Sequence, residues 1–157
     1  MHRRSTLTRT SRESRLSLSA DAAWAVVASG SPGPQWYVDA APFVVRGALD
    51  RLTGGTGRRW DPPGTTTLAT GDHAGLWCVS EADARHHRLS LTAEVRAPGT
   101  VTLVTEVRSC AEGCELHQSV RFSPSGLLGT AYLLADLPAR ELLLELTHRR
   151  LLRDLRS

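Results

Sequence analysis

Beyond the loop around Pro62, Pro63 and Gly64, hydrophobic and polar residues alternate for most of the next sixty positions. That period of two predicts half-buried strands. Candidate strands cover about 66–70, 73–81, 87–96, 101–109 and 115–122, with turns at Gly71-Asp72, Ala82-Asp83, Pro98-Gly99 and Glu112-Gly113. In the third candidate, Leu89, Leu91, Ala93 and Val95 share one face, and Arg88, Ser90, Thr92, Glu94 and Arg96 share the other. One face is therefore expected to be buried and one wet, as in an antiparallel meander. Val101, Leu103, Thr105 and Val107, then Leu116, Gln118, Val120 and Phe122, continue the inner face.

The flanks read differently. Ser14 to Ser19 alternates once more, and Asp21 is a candidate N-cap for a helix over Ala22 to Ala28 that ends at Gly30. A second short helix is expected over 43–52, closed by Gly54 and Gly55. From about Gly126 to Leu155 the period becomes helical, with a wide apolar stripe and a kink expected at Pro138. Strand, two helices, antiparallel strands and a long helix together predict an α+β fold of the helix-grip type. The stripe of the long C-terminal helix is buried on the concave face of a curved antiparallel sheet.

At 157 residues there is room for one such domain. Charge changes the picture only at the N-terminus, where Arg3, Arg4, Arg9, Arg12 and Arg15 face a single acid, Glu13; the remainder has 14 Arg against 15 acids. Residues 1–13 are therefore expected to form a flexible basic tail ahead of a domain at 14–157, and the near-neutral remainder gives no footprint for nucleic acid. No apolar run reaches the roughly 18 residues of a membrane span, and no apolar signal segment follows the basic start. Three cysteines make no disulfide framework. These features predict a cytoplasmic protein without a membrane partner; a homodimer is left open. Arg without any Lys suggests a GC-rich bacterial source.

Trp36-Tyr37, Arg46-Gly47-Ala48-Leu49-Asp50-Arg51-Leu52-Thr53-Gly54-Gly55, Leu76-Trp77-Cys78-Val79 and Gln118 through Gly129 carry a resemblance. With Gly71-Asp72, Ala93-Glu94 and Pro98-Gly99, they resemble an uncharacterised family of SRPBCC-like domains, often found C-terminal to NAD(P)-binding epimerase-like domains. The match runs from about Ser29 to Leu152. It implies a helix-grip fold with an internal cavity, and it implies no particular reaction. No Gly-x-Gly-x-x-Gly follows a strand here, so the dinucleotide-binding partner domain of such proteins is not encoded in this stretch.

Gln118 and Thr105 are the polar residues on inward strand faces, where an amide must find partners or cost about 1–3 kcal/mol; they are candidates to orient a ligand, or to satisfy each other or the backbone. His73 falls in phase with Trp77 if 73–81 is one strand, which makes it a candidate base with Asp72 beside it; a strand-end histidine and a turn-forming Asp are the plainer readings. Trp36, Tyr37, Trp60, Trp77 and Tyr132 are candidate lining for a flat ligand, or simply core, and Arg46 pairs with Asp50 at the expected mouth. Cys110, Cys114 and His117, with His86 or His87 nearby, have a usable metal spacing but lack an evident fourth ligand, so no metal and no organic cofactor are assigned. The reading that follows is a cavity protein for a hydrophobic or aromatic small molecule. Cofactor-free cyclase, aromatase or isomerase chemistry of bacterial specialised metabolism is one version; a non-catalytic ligand-binding or accessory module for a separate reductase is the other.

Overall fold

Among the described residues, seven strands form one antiparallel sheet in the order β1-β2-β7-β6-β5-β4-β3. The computed structural model describes residues 2–5, 8–44, 60–94, 99–124 and 137–156. The strands are β1 (His2–Ser5), β2 (Arg9–Leu16), β3 (His73–Ala74), β4 (Trp77–Asp83), β5 (Arg88–Ala93), β6 (Gly99–Cys110) and β7 (Gly113–Pro124). Helices α1 (Ala20–Val27) and α2 (Trp36–Asp39) follow β2, residues 41–44 are helical, and α3 (Leu137–Asp154) ends the chain. The alternation from 87 to 122 becomes the meander β5-β6-β7, because one face of each strand needs an apolar partner. Leu89, Leu103, Leu116 and Val120 are buried on that face, and Leu144 and Leu151 of α3, with Leu155 just beyond it, join them in the core. A curved antiparallel sheet with a C-terminal helix packed on it, and short helices between the first strands and the meander, is the helix-grip fold.

Three expectations change. First, residues 9–13 are not in a solvated arm: they belong to β2, which pairs with β7 from Arg9↔Arg121 to Leu16↔Cys114. The basic side chains conceal the strand because Arg12 is buried on acidic partners of α3. Second, 66–70 forms no strand, and 73–81 is two strands rather than one. Gly75 at φ 64° and Leu76 reverse the chain, so His73 pairs with Cys78. Third, the N-cap of α1 is Ser19, whose Oγ accepts from the Ala22 N–H at 3.2 Å; Asp21 lies in the first turn, where its charge suits the helix dipole. Ser19→Ala is expected to lower stability by about 1 kcal/mol in urea unfolding. Pro138 occupies the first turn of α3, and the expected helical stretch 127–136, like the helix over 45–52, lies outside the described residues. Among the described residues no helix is long and apolar enough to cross a membrane.

Candidate functional site

Where α3 crosses β2 and β7, the seam is polar although most of its surroundings are aliphatic. Register places Thr105 of β6 directly across from Gln118 of β7, and Gln118 across from Arg12 of β2. Gln118 Nε2 donates to Thr105 Oγ1 at 3.1 Å. Its Oε1 is then the acceptor for His148 Nδ1–H of α3, at 2.9 Å. This fixes the imidazole with the proton on Nδ1, so Nε2 accepts from the Ser14 hydroxyl at 2.8 Å. Thr105, Gln118 and His148 are all buried, and Ser14 is half-buried, so the relay runs from the centre of the sheet toward solvent.

Burial pushes the His148 pKa down to about 4; Glu145 opposes the shift and Arg12 reinforces it. His148 is therefore neutral at pH 7, which the relay requires of an acceptor at Nε2. One turn along the same helix face, Arg12 Nε donates to Glu145 Oε2 at 2.8 Å, Nη2 to Glu141 Oε2 at 2.6 Å, and Nη1 to the Ser11 carbonyl at 2.9 Å. Burial works against the Arg12 charge, yet the hydrogen bonds to Glu141 and Glu145 outweigh it and hold its pKa above the ordinary value. Glu141, Glu145 and His148 recur at helical spacing, so one face of α3 presents acid, acid and imidazole to β2 and β7.

The other sequence candidates divide. Trp77, Trp36 and Tyr37 lie buried together around α2, and their polar ends meet backbone carbonyls. Trp77 Nε1 donates to Tyr37 O at 2.8 Å, Trp36 Nε1 to Val27 O at 3.1 Å, and Tyr37 Oη to Ser29 O at 2.7 Å. Burial, with Asp72 and Asp39 adding to it, pushes the Tyr37 phenol well above its usual range, so it stays protonated. Asp72 closes its own turn, accepting from Ala69 N–H at 2.8 Å. His73 stands on the outer face with Cys78, opposite to Trp77, because the reversal at Gly75 breaks the phase between them. Trp60 packs on His73 at 4.6 Å between ring centroids. Arg46 and Tyr132 lie outside the described residues.

Cys114 and His117 are separated by an odd number of strand positions, so they face opposite sides of β7 and share no metal; all three cysteines are free. His86 binds its own turn through Asp83 and His87 meets Asp21. His148, Ser14, Arg12, Glu141 and Glu145 are the site residues the sequence reading missed. His148 continues Leu144, Leu151 and Leu155 at four, three and four positions, a signal that was available; an inward Arg facing two Glu one turn apart was another.

The chain belongs to the family described as "Protein of unknown function (DUF2867)", whose profile matches residues 8–146. No curated protein matches it. Among solved structures, a Rhodobacter sphaeroides protein is similar at 15% identity over 93% of this chain and 90% of its own, with a TM-score of 0.50, which shows a shared fold. Ara h 8.0201 aligns at 13% identity over 92% and 97% of the two chains with a TM-score of 0.45. CalU16 from Micromonospora echinospora aligns at 12% over 95% and 89% with a TM-score of 0.44.

Proposed function

We propose that this chain binds a small hydrophobic or aromatic molecule in the grip between the sheet and α3, and moves a proton on it without a cofactor, as cyclases and isomerases do. One observation supports the reading. A neutral imidazole is held in a polar seam within an aliphatic core, with an amide on one nitrogen and a half-buried hydroxyl on the other. Stability alone does not require these groups, since replacing hydrogen-bonded partners together by apolar side chains of the same shape is close to neutral. In this mechanism the Ser14 hydroxyl meets the ligand, His148 Nε2 takes the proton through it, and Gln118 and Thr105 position the ring. The role of base expected of His73 passes to His148, because His73 is on the other face.

The accessory reading is favoured by a specific observation of its own. A histidine whose pKa burial holds near 4 is a weak base at neutral pH, suited to orienting a ligand more than to deprotonating it. Binding of 2-naphthol followed by fluorescence, and hydrogen–deuterium exchange at the central carbon of a hydrophobic β-diketone followed by NMR, separate the two. The expected result is binding of both probes and faster exchange, with Ser14→Ala lowering the exchange rate about 10²-fold while its unfolding midpoint stays close to that of the parent chain. Binding without exchange leaves the accessory module; absence of binding to either probe removes the cavity reading.

A further inference from the structure

The sheet's far edge carries a second group of side chains that the grip does not use. His73↔Cys78 and Cys78↔Thr92 are paired across β3, β4 and β5, and the ladder continues past β5 where Glu94 N–H donates to the Leu76 carbonyl at 2.8 Å. Strand alternation places Cys78 on the face opposite to buried Trp77, and Glu94, two residues beyond Thr92, on that same outer face. His73 Nε2 and Glu94 Oε1 stand 3.5 Å apart, and one ligand atom each from His73, Cys78 and Glu94 all lie within 4.8 Å of one another.

We propose that His73, Cys78 and Glu94 form a divalent transition-metal site that favours zinc. Imidazole nitrogen, thiolate sulfur and carboxylate oxygen make a donor set of mixed softness that suits Zn²⁺ better than the all-oxygen preference of Mg²⁺ or Ca²⁺. In a tetrahedral site with bonds of ~2.0–2.1 Å, ligand atoms are separated by about 3.3–3.4 Å along each edge. The histidine–glutamate pair, at 3.5 Å, is close to that spacing, and the Cys78 sulfur, no more than 4.8 Å from its partners' ligand atoms, needs only a side-chain rotation to join them.

The backbone prepares the site. Trp60 packs its ring against the His73 imidazole, and its own strand bridge to Gly75 runs in both directions, Trp60 N–H to Gly75 O and Gly75 N–H to Trp60 O. Ring and turn together limit where the imidazole can point. The His73 and Glu94 side chains are 37% and 40% exposed, so an ion reaches them from solvent. Three protein ligands leave one coordination position for water or a substrate oxygen, the arrangement of open zinc sites. Binding converts the Cys78 thiol to thiolate and releases that proton to solvent. Two residues on adjacent strands and a third just past the end of β5, separated by two turns, are invisible as a motif, which is why the sequence assigned no metal. This site lies on the face opposite to the grip, so its test is independent of the ligand reading.

The experiment is a titration of the chelator-stripped full chain with Co²⁺, read by absorbance. One Co²⁺ per chain with a thiolate-to-cobalt charge-transfer band and intense tetrahedral visible bands is expected, bleached by one equivalent of Zn²⁺. The bands persist in Cys110→Ser/Cys114→Ala and vanish in Cys78→Ser, and His73→Ala weakens Co²⁺ binding by more than the roughly 10–100-fold that outer partners alone are worth. Absence of the charge-transfer band, or its survival in Cys78→Ser, overturns the site. Should Cys78→Ser not fold, imidazole NMR of the intact chain decides: Zn²⁺ shifts the His73 resonances, and a titration that leaves them in place overturns the site as well.

Discussion

Arg12→Met is expected to lower stability by about 3–5 kcal/mol in urea unfolding. The guanidinium is almost wholly buried and bridges Glu141 and Glu145, tying β2 to α3 across 129 and 133 residues of chain. Met fills much of the same volume, so the loss comes from leaving a mostly buried Glu145 without its inner cation; Arg149 meets only the other oxygen, Oε1, from an exposed position. The Glu141 side chain is 29% exposed and turns to water at less cost. Adding Glu145→Met removes the stranded charge, and the double variant is expected to recover most of the loss, as buried ion networks do when replaced whole. A single substitution costing under about 1 kcal/mol would mean that residues 9–13 behave as the solvated arm their composition suggests.

Stability is expected to fall by on the order of 3 kcal/mol between pH 6.5 and pH 4 through His148 alone. Its folded pKa is depressed to about 4, against an ordinary 6.5 in the unfolded chain. Within that window the unfolded state binds a proton that the folded state refuses. The contribution is therefore complete above pH 6.5 and is lost as pH falls toward 4. His117, lowered by burial and by Arg9 against the pull of Glu106 and Glu13, adds loss of the same sign. His148→Gln isolates the larger part: its amide donates to Gln118 Oε1 and accepts from Ser14, and it does not titrate. Urea midpoints across pH 4–7 should then show a distinctly shallower slope in the variant. Parallel slopes for the two proteins would mean that His148 is not held neutral by the fold.

The meander was legible in the sequence because its strands have one apolar and one polar face, and Leu89, Leu103 and Leu116 are buried as that pattern demands. Gln118 and Thr105 were legible as inward polar residues for the same reason, and they meet each other, which periodicity alone left open. What escaped notice has physical causes. A reversal at Gly75 breaks the phase between β3 and β4, so His73 faces the side opposite to Trp77. β2 was concealed because Arg12 counts as wet in any alternation rule, while its buried state depends on two acids far along the chain. His148 sits between Thr147 and Arg149-Arg150, and only the leucines on either side of it mark its face.

The seam between β2 and β7 joins residues about 100 positions apart, and β2 is made first. At the usual synthesis rate of ~5–20 residues per second, β2 waits some 5–20 s for the strand it must pair with. The closure entropy of so long a loop comes due before the pairing returns anything, so this step sets the slow end of folding. Until β2 docks, β7 is the open edge of a completed meander, with its long ladder of N–H and C=O groups unpaired on one side. A nascent or destabilised chain is therefore most exposed to edge-to-edge association along β7. Substitutions that loosen the Arg12 anchor would then show themselves in the yield of soluble protein before any change in the finished fold.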